Sequence, residues 1–298
     1  MKSRFLLIFI DGLGLGSQEN NPLCLARMPY LTQLIGGHCI FSSCNISRQE
    51  FLFKSLDAAL GVTGLPQSAT GQTALLTGKN AAATLGYHLP AFPNQQLIHI
   101  IQRFSIFKQI QDKGLKVCFA NGYQDDYFAD ASKDHSVTTE CCKAAGLKFR
   151  FIDDVLKQKA VYWDITNEYL HYKVDSSIPI ISASDAGKNL ANVAQSHHFT
   201  LFEGFEADLI GHSRDQERSI VFLEKFDNFL QGILTHRDPD LTVILSSDHG
   251  NIEDLSYGGH TRNPVPLLVI GKESRLFDSA KSITDIVSQI ILRYSVTL

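Results

Sequence analysis

The chain has 298 residues, of which 44% are hydrophobic and 19% are charged, a globular composition that excludes disordered and fibrous classes. The formal charge of -4 arises from 27 Lys and Arg against 31 Asp and Glu. This balance favours no basic face for nucleic acid, so we expect no nucleic-acid partner.

Five apolar runs along the chain predict buried strands. The first is Phe-Leu-Leu-Ile-Phe-Ile at 5–10, and the others lie at 116–120, 199–203, 241–245 and 266–270. Helical patterns separate them at 95–113, 213–234 and 283–294; Gly114 follows the first, and Ser282 with Asp285 opens the last. Strands alternating with helices predict an α/β fold with a largely parallel sheet flanked by helices.

One stretch differs in character from the rest. Residues 89–175 begin with Pro90 and Pro93 and contain aromatic-rich segments such as 121–128. We interpret this stretch as a small inserted cap on a discontinuous catalytic core formed by residues 1–88 and 176–298. Tyr123, Tyr127 and Phe128 either line the mouth of a site beneath the cap or pack inside it.

The six cysteines show no Cys-x-x-Cys spacing, which indicates reduced thiols rather than a disulfide framework. The apolar run at 5–10 is shorter than the roughly 7–15 residues of a signal-peptide core. No run reaches the roughly 18 residues of a membrane span. We therefore expect a soluble, cytoplasmic protein without a membrane partner; the oligomeric state stays open.

Ligands of open α/β sheets bind where strands end, so the residues that follow each apolar run are the candidates. Three Asp, three His and one Ser occupy such loops. They are Asp11, Ser68, Asp208, His212, Asp248, His249 and His260. Carboxylates with imidazoles suit two divalent ions, and three carboxylates with one serine alkoxide balance four positive charges. A metal pair also makes a serine nucleophilic near neutral pH.

Each of these residues alone has an ordinary structural explanation. Asp11 is typical of a turn, His212 and His260 of hydrogen-bonded histidines, and Ser68 of a helix N-cap. Their joint occurrence at strand ends favours a metal site. A dinucleotide fingerprint is excluded because Ser17 stands where its third glycine would fall, and a phosphate loop is excluded because Asn80 replaces its Ser or Thr.

Three strings resemble the metalloenzyme branch of the alkaline phosphatase superfamily, which includes cofactor-independent phosphoglycerate mutase and phosphopentomutase. They are Ser-Asp-His-Gly-Asn-Ile-Glu at 247–253, His-Thr-Arg-Asn-Pro-Val-Pro at 260–266, and Asp-Leu-Ile-Gly-His at 208–212. The segment from Ser68 to Gly78 matches in spacing. The resemblance covers the first and last parts of the chain.

The resemblance implies two divalent metal ions, manganese or zinc. One would be held by Asp11, Ser68, Asp248 and His249, and the other by Asp208, His212 and His260. Ser68 would be transiently phosphorylated, with Thr70 as the less favoured nucleophile.

The chain also departs from the mutases. Its insert is shorter and lacks a cluster of arginines, and Gln72 replaces a histidine of the nucleophile segment. Metal chemistry is therefore expected to transfer, and mutase activity is not. The absence of a Cys-x-Pro-x-Arg segment disfavours a sulfatase. Lys79, Arg262 and Asn263 are candidate phosphate contacts.

These observations predict a two-metal phosphohydrolase or phosphomutase that acts on a small phosphorylated metabolite through a phosphoserine. The alternatives are a phosphodiesterase and a metal-binding homologue without turnover.

Overall fold

The computed structural model describes residues 2–295, which form nine strands and thirteen α-helices. The strands are β1 Arg4–Ile10, β2 Ile46–Arg48, β3 Phe51–Leu56, β4 Val117–Phe119, β5 Gly122–Tyr123, β6 Arg150–Phe151, β7 Phe199–Gly204, β8 Leu241–Ser246 and β9 Val265–Ile270. The helices are α1 Pro22–Leu25, α2 Pro29–Ile35, α3 Ser68–Thr77, α4 Ala81–Leu85, α5 Gln95–Phe104, α6 Ile106–Gln111, α7 Val137–Ala144, α8 Ile152–Leu156, α9 Glu168–Lys173, α10 Ala183–Gln195, α11 Glu206–Ser213, α12 Gln216–His236 and α13 Thr284–Ser295.

Seven strands form the central sheet in the order β2-β3-β9-β8-β1-β7-β4. β1 pairs in parallel with both β7 and β8, and β4 pairs in parallel with β7. β9 is antiparallel to β8 and to β3. The sheet is therefore mixed, with a parallel half that carries β1 at its centre.

Helices cover both faces of the sheet. Alternate residues of β1 point to opposite faces, and both sets are apolar, so each face must be buried. Leu6, Ile8 and Ile10 pack into one core with side chains of α2, α10 and α12. Phe5, Leu7 and Phe9 pack into a second core with side chains of α3, α5, α6, α7 and α13. The predicted α/β fold with flanking helices is confirmed.

Two predicted helices differ from the observed ones. The helix expected over 95–113 is broken at Ser105, whose backbone leaves the helical region (φ -47°, ψ 130°) and whose hydroxyl donates to the Cys141 carbonyl. The helix expected from residue 213 starts three residues later, because Asp215 caps α12 by accepting from the Arg218 N–H. Both predictions were wrong at these points, where one polar side chain decides the boundary.

The proposed insert at 89–175 stays a prediction, and parts of this stretch contribute to the sheet and to the second core. β4 is the edge strand of the central sheet, and α5, α6 and α7 contribute to the second core. A separate small core joins side chains of α8, α9 and their loops. Its members are Val155, Ala160, Tyr162, Leu170 and Ile178. We therefore propose a smaller cap, centred on β5, β6, α8 and α9.

All six cysteines are unpaired in the described structure. Across residues 2–295, no helix combines the length and the hydrophobicity that crossing a bilayer requires.

Candidate metal centre and nucleophile

The sheet topology brings the predicted residues to one edge. Asp11 follows β1, Asp208 lies on α11 just after β7, and Asp248 follows β8. Because β9 runs antiparallel to β8, the segment that joins them, with His249 and His260, stays at the same edge. β3 is antiparallel to β9 and so runs in the direction of β8, which places the chain leading to Ser68 there too.

A first group of side chains surrounds the His249 ring. Its Nε2 lies 3.1 Å from Asp11 Oδ1, 3.6 Å from Asp248 Oδ2 and 3.0 Å from the Ser68 hydroxyl oxygen. Asp248 and His249 are fully buried, and Asp11 is 7% exposed. Burying two carboxylates side by side is unfavourable unless a cation or a proton lies between them.

A second group surrounds the Asp208 carboxylate. His212 Nε2 lies 3.4 Å from Asp208 Oδ2, and His260 Nε2 lies 3.5 Å from Asp208 Oδ1. The His260 Nδ1–H donates to the Pro66 carbonyl at 2.8 Å. Because a carbonyl only accepts, this bond fixes the tautomer and leaves the Nε2 lone pair facing the site.

The two groups are contiguous. The rings of His249 and His260 stack with centroids 3.7 Å apart, and His212 and His260 lie 5.1 Å apart. The potential ligand atoms form two sets, and within each set all atoms lie within 4.8 Å of one another. One set comes from Asp11, Asp248 and His249, and the other comes from Asp208, His249 and His260. His249 thus lies between the two sets, whereas the family resemblance implies that it serves the Asp11 side.

These residues fit divalent cations. Asp11 Oδ1 and Asp248 Oδ2 are buried and accept no hydrogen bond from the described residues. Native proteins rarely leave such oxygens without a partner, because an unpaired buried carboxylate oxygen is strongly destabilising. Carboxylate oxygens together with imidazole nitrogens are a donor set that suits manganese or zinc.

In the metal-free protein, bound protons offset the negative charge of the buried carboxylates. Burial raises the pKa of Asp248 well above its usual value, and the Asp11 charge raises it further. Burial lowers the pKa of His249, but the charges of Asp248 and Asp11 outweigh this and bring it to about 10. A metal ion at this site must therefore displace protons, which makes its binding dependent on pH.

Ser68 is the first residue of α3. The N-cap position belongs to Gln67, whose side chain makes no capping hydrogen bond, so the Ser68 hydroxyl is directed to His249 instead. The free N–H groups and the positive end of the helix dipole favour an anion at this point. Thr70 differs, because its fully buried hydroxyl donates to the Gln67 carbonyl and accepts from the Leu89 N–H.

Gln72 lies one turn after Ser68 and contacts the first group. Its Nε2 donates to Asp11 Oδ2 at 3.0 Å. Its own Oε1 is buried without a hydrogen-bond partner among the described residues. The residue that departs from the mutase pattern therefore orients the Asp11 carboxylate.

Glu253 supports the site, and sequence reasoning did not single it out. Its fully buried carboxylate accepts from the Gly14 N–H at 3.0 Å, the Asn251 N–H at 2.7 Å and the Asn263 amide at 3.0 Å. The Thr261 hydroxyl donates to the same group. These bonds tie the loop after β1 to the segment between β8 and β9. The position of Glu253 within the 247–253 string was the available signal.

Glu203 is a second residue that sequence reasoning missed. It is the penultimate residue of β7, and burial together with the Asp11 charge raises its pKa to about 8. Candidate residues were sought after the end of each predicted strand. Glu203 was missed because it is the last residue of the predicted strand 199–203.

The three candidate phosphate contacts are placed differently. Lys79 follows the far end of α3, roughly 15 Å along the helix from Ser68, and its Nζ lies 4.4 Å from the Phe104 ring centre. The Asn263 amide is engaged with Glu253. Arg262 is exposed, two residues from His260. The structure therefore does not bring Lys79 beside the nucleophile.

Comparison with known proteins places the chain among metal-dependent enzymes. The model of the "Metalloenzyme superfamily" matches residues 3–294. A 2,3-bisphosphoglycerate-independent phosphoglycerate mutase of Legionella pneumophila is 26% identical over 129 residues, covering 40% of this chain and 25% of that protein. A phosphopentomutase of Chromohalobacter salexigens is 40% identical over 72 residues, covering 24% of this chain and 17% of that protein.

The matches to these curated relatives thus span a quarter or less of their lengths. Among solved structures, the alkaline phosphatase of the Antarctic bacterium TAB5 superposes with a TM-score of 0.58 at 14% identity, covering 100% of both chains. At this identity the likeness shows a shared fold.

Proposed function

The chain belongs to the metalloenzyme superfamily, and from this premise we propose that it transfers the phosphoryl group of a small phosphate monoester to Ser68 with the help of two divalent metal ions. The observation that carries the proposal is the position of the Ser68 hydroxyl. It lies 3.0 Å from His249 Nε2, at the N-terminus of α3 and beside a group of buried carboxylates.

The residues that would hold the metals form two sets. Asp11, Asp248 and Ser68 would hold one ion, Asp208, His212 and His260 would hold the other, and His249 lies between them. When bound, manganese or zinc would lower the pKa of the serine hydroxyl and neutralise charge on the phosphate.

The protein groups account for the rest of the reaction. The Ser68 hydroxyl loses its proton to solvent, its oxygen bonds to phosphorus as the bond from phosphorus to the ester oxygen breaks, and the departing ester oxygen takes up a proton from solvent. The first-turn N–H groups of α3 stabilise negative charge on the phosphoryl oxygens. The product of this step is phosphoserine. Gln72 holds Asp11 in place throughout.

Hydrolysis is the favoured outcome, with water taking the phosphoryl group from Ser68. Transfer to a second hydroxyl of the same substrate, as in a phosphomutase, is the second candidate, and the similarity to a phosphoglycerate mutase and a phosphopentomutase favours it. The proposed partner is a small phosphorylated metabolite, without nucleic acid or membrane. The proposed location is the cytoplasm, in line with six unpaired cysteines.

Replacing Ser68 with Ala tests the proposal. We expect the wild type with manganese or zinc to hydrolyse p-nitrophenyl phosphate, and Ser68→Ala to lose at least about 10³-fold in kcat, because the nucleophile is gone. Mass spectrometry of acid-quenched wild type should detect phosphate on Ser68. Ser213→Ala, an exposed serine at the end of α11, is the control.

Other outcomes discriminate the alternatives. Retained turnover in Ser68→Ala would overturn the covalent step. Faster hydrolysis of the bis-ester would indicate a phosphodiesterase. A protein that holds two metals and turns over no ester in a broad panel would be a homologue without activity.

A further inference from the structure

A cavity of about 630 Å³ opens beside the nucleophile, with Asp11, Ser68 and Asp208 at one end. Its other walls come from residues 91–169 and from the start of α11. A volume of this size is typical of sites that enclose a small organic molecule. The end that holds Ser68 would take the phosphate, so the remaining walls describe the organic half of the substrate.

The charges of the cavity argue against a second anionic group on the substrate. No lysine or arginine is found among the described residues that line it, and its carboxyl groups are Asp11, Glu203 and Asp208. A carboxylate or a second phosphate on the organic half would lose its hydration without gaining a cationic side chain as a partner. The organic half is therefore uncharged.

Aromatic rings form most of the remaining wall. The Trp163 and Phe205 rings stack with centroids 4.4 Å apart, and Tyr169 lies 5.3 Å from Trp163. Six aromatic side chains that line this part of the cavity are Tyr123, Tyr127, Tyr162, Trp163, Tyr169 and Phe205. Burial raises the pKa of Tyr123, Tyr127 and Tyr162, so these phenols stay neutral. A planar ring system gains stacking and hydrophobic contact on such a wall.

A few neutral polar groups interrupt the aromatic wall. Gln124 donates through Nε2 to the Tyr162 hydroxyl at 2.9 Å, which leaves its Oε1 available as an acceptor. The Thr139 hydroxyl is paired with Tyr123 at 2.9 Å and with Ser136 at 3.0 Å. Neutral donors and acceptors within an aromatic pocket suit the heteroatoms of a ring and the hydroxyls of a sugar.

We propose that the substrate is a phosphate monoester whose organic half is an uncharged aromatic ring system of nucleoside size. This inference rests on the proposed phosphoryl transfer at Ser68, and it adds the substrate class. A phosphorylated sugar alone would leave the aromatic wall uncovered, and the carboxylate of a phosphorylated carboxylic acid would find no lysine or arginine among the lining residues.

Trp163 is the single tryptophan of the chain and reports on the wall directly. The test titrates the zinc-loaded Ser68→Ala protein with adenosine 5′-monophosphate and with ribose 5-phosphate, following Trp163 emission. We expect the nucleotide to bind about tenfold more tightly than the matched sugar phosphate, since one stacked base contributes about that much. 3-Phosphoglycerate should bind more weakly than either.

Two variants locate the effect. Phe205→Leu and, on α9, Tyr169→Leu should each weaken nucleotide binding by about fivefold or more and leave ribose 5-phosphate binding unchanged. Tyr172→Leu is the control, because this tyrosine of α9 is 70% exposed and lies outside the cavity. Equal affinity for the two ligands, or a nucleotide affinity unchanged in both folded variants, would overturn the inference.

Turnover of p-nitrophenyl phosphate by the wild type separates this inference from the proposed function. Nucleotide preference without turnover of any ester would leave the binding site standing and refute phosphoryl transfer. Turnover without nucleotide preference would do the reverse.

Discussion

At the scale of single residues, the site depends on a carboxylate that does not face the nucleophile. Glu253 accepts hydrogen bonds from the Gly14 and Asn251 N–H groups and from the Asn263 amide. Asn251 in turn donates through its amide to Asp208 Oδ1 at 2.7 Å. The position of Asp208 is thus coupled to Glu253 through one intervening side chain.

Replacing Glu253 with Gln tests this coupling. The glutamine amide NH2 is a donor and replaces a carboxylate oxygen that accepts hydrogen bonds. At least one N–H group that now donates to Glu253 therefore loses its acceptor. We expect a loss of about 1–3 kcal/mol in the free energy of unfolding of the metal-free protein. We also expect metal affinity to fall by about tenfold or more, because the ligands lose their support. Urea titration and calorimetric metal titration measure the two effects.

The matched control is Glu19→Gln, since Glu19 is exposed. If Glu253→Gln binds metals and unfolds as the wild type does, then the carboxylate does not organise the site.

The strand-end rule selected the seven candidate ligands because each lies close in sequence to an apolar run, although Ser68, Asp208 and His212 belong to helices in the structure. The structure brings them to one edge, and their role as ligands stays a prediction. Glu253 and Glu203 were not found, because their roles depend on contacts between segments that are distant in sequence. Glu203, for example, gains its raised pKa from burial against Asp11.

At the scale of elements, hydrophobic period predicted the strands better than the helices. α10 was missed although it is amphipathic, because its buried side chains are mostly small, as in Ala-Ser-Asp-Ala-Gly-Lys-Asn, and few large hydrophobic residues mark its period. The same small residues let α10 approach α12 closely. A Cβ at Gly187 would lie 2.2 Å from the Phe229 carbonyl oxygen, and one at Gly232 would lie 2.2 Å from the Ser184 carbonyl oxygen.

This close contact should reverse the usual effect of a helical Gly→Ala substitution on the free energy of unfolding. In an open helix the change stabilises by about 1 kcal/mol, because alanine loses less backbone entropy. Gly232→Ala should instead destabilise by about 1–3 kcal/mol, since the methyl group meets backbone atoms of α10 that cannot move alone. The measurement is the free energy of unfolding in urea.

Asn192→Ala supplies the comparison, because Asn192 is exposed on α10 and the change raises helix propensity without a clash. A stabilised Gly232→Ala would show that the two helices are able to separate at little cost.

At the scale of the whole molecule, the sequence predicted an α/β fold with a largely parallel sheet, but it did not predict that β9 runs antiparallel to its neighbours. Apolar runs separated by helices predict parallel strands, but β9 follows β8 without an intervening helix and returns antiparallel to it. The cap predicted at 89–175 stays a prediction, and part of this stretch belongs to the central sheet. β4 lies in the middle of the aromatic-rich stretch, and its short apolar run pairs with β7 in the central sheet.

The stability of the whole molecule should depend on the metals and on pH together. Without metals, the raised pKa values of Asp248 and His249 mean that the folded state holds protons more tightly than the unfolded chain. Their contribution to stability is therefore present at acidic pH and is lost as pH rises through the folded-state values, about 10 for His249. Metal binding, which needs the same groups deprotonated, strengthens over that range.

Adding zinc to chelator-treated protein should accordingly raise Tm, and the rise should grow from mildly acidic to mildly alkaline pH. With metal about a thousandfold above Kd, one site contributes about 4 kcal/mol, which corresponds to a Tm increase of roughly 6 °C for a chain of this length. Asp248→Asn separates the two causes, because it removes a buried charge. It should raise the metal-free Tm at alkaline pH and abolish most of the gain from zinc. A gain from zinc that is independent of pH, or equal in Asp248→Asn, would place the stabilising metal elsewhere in the molecule.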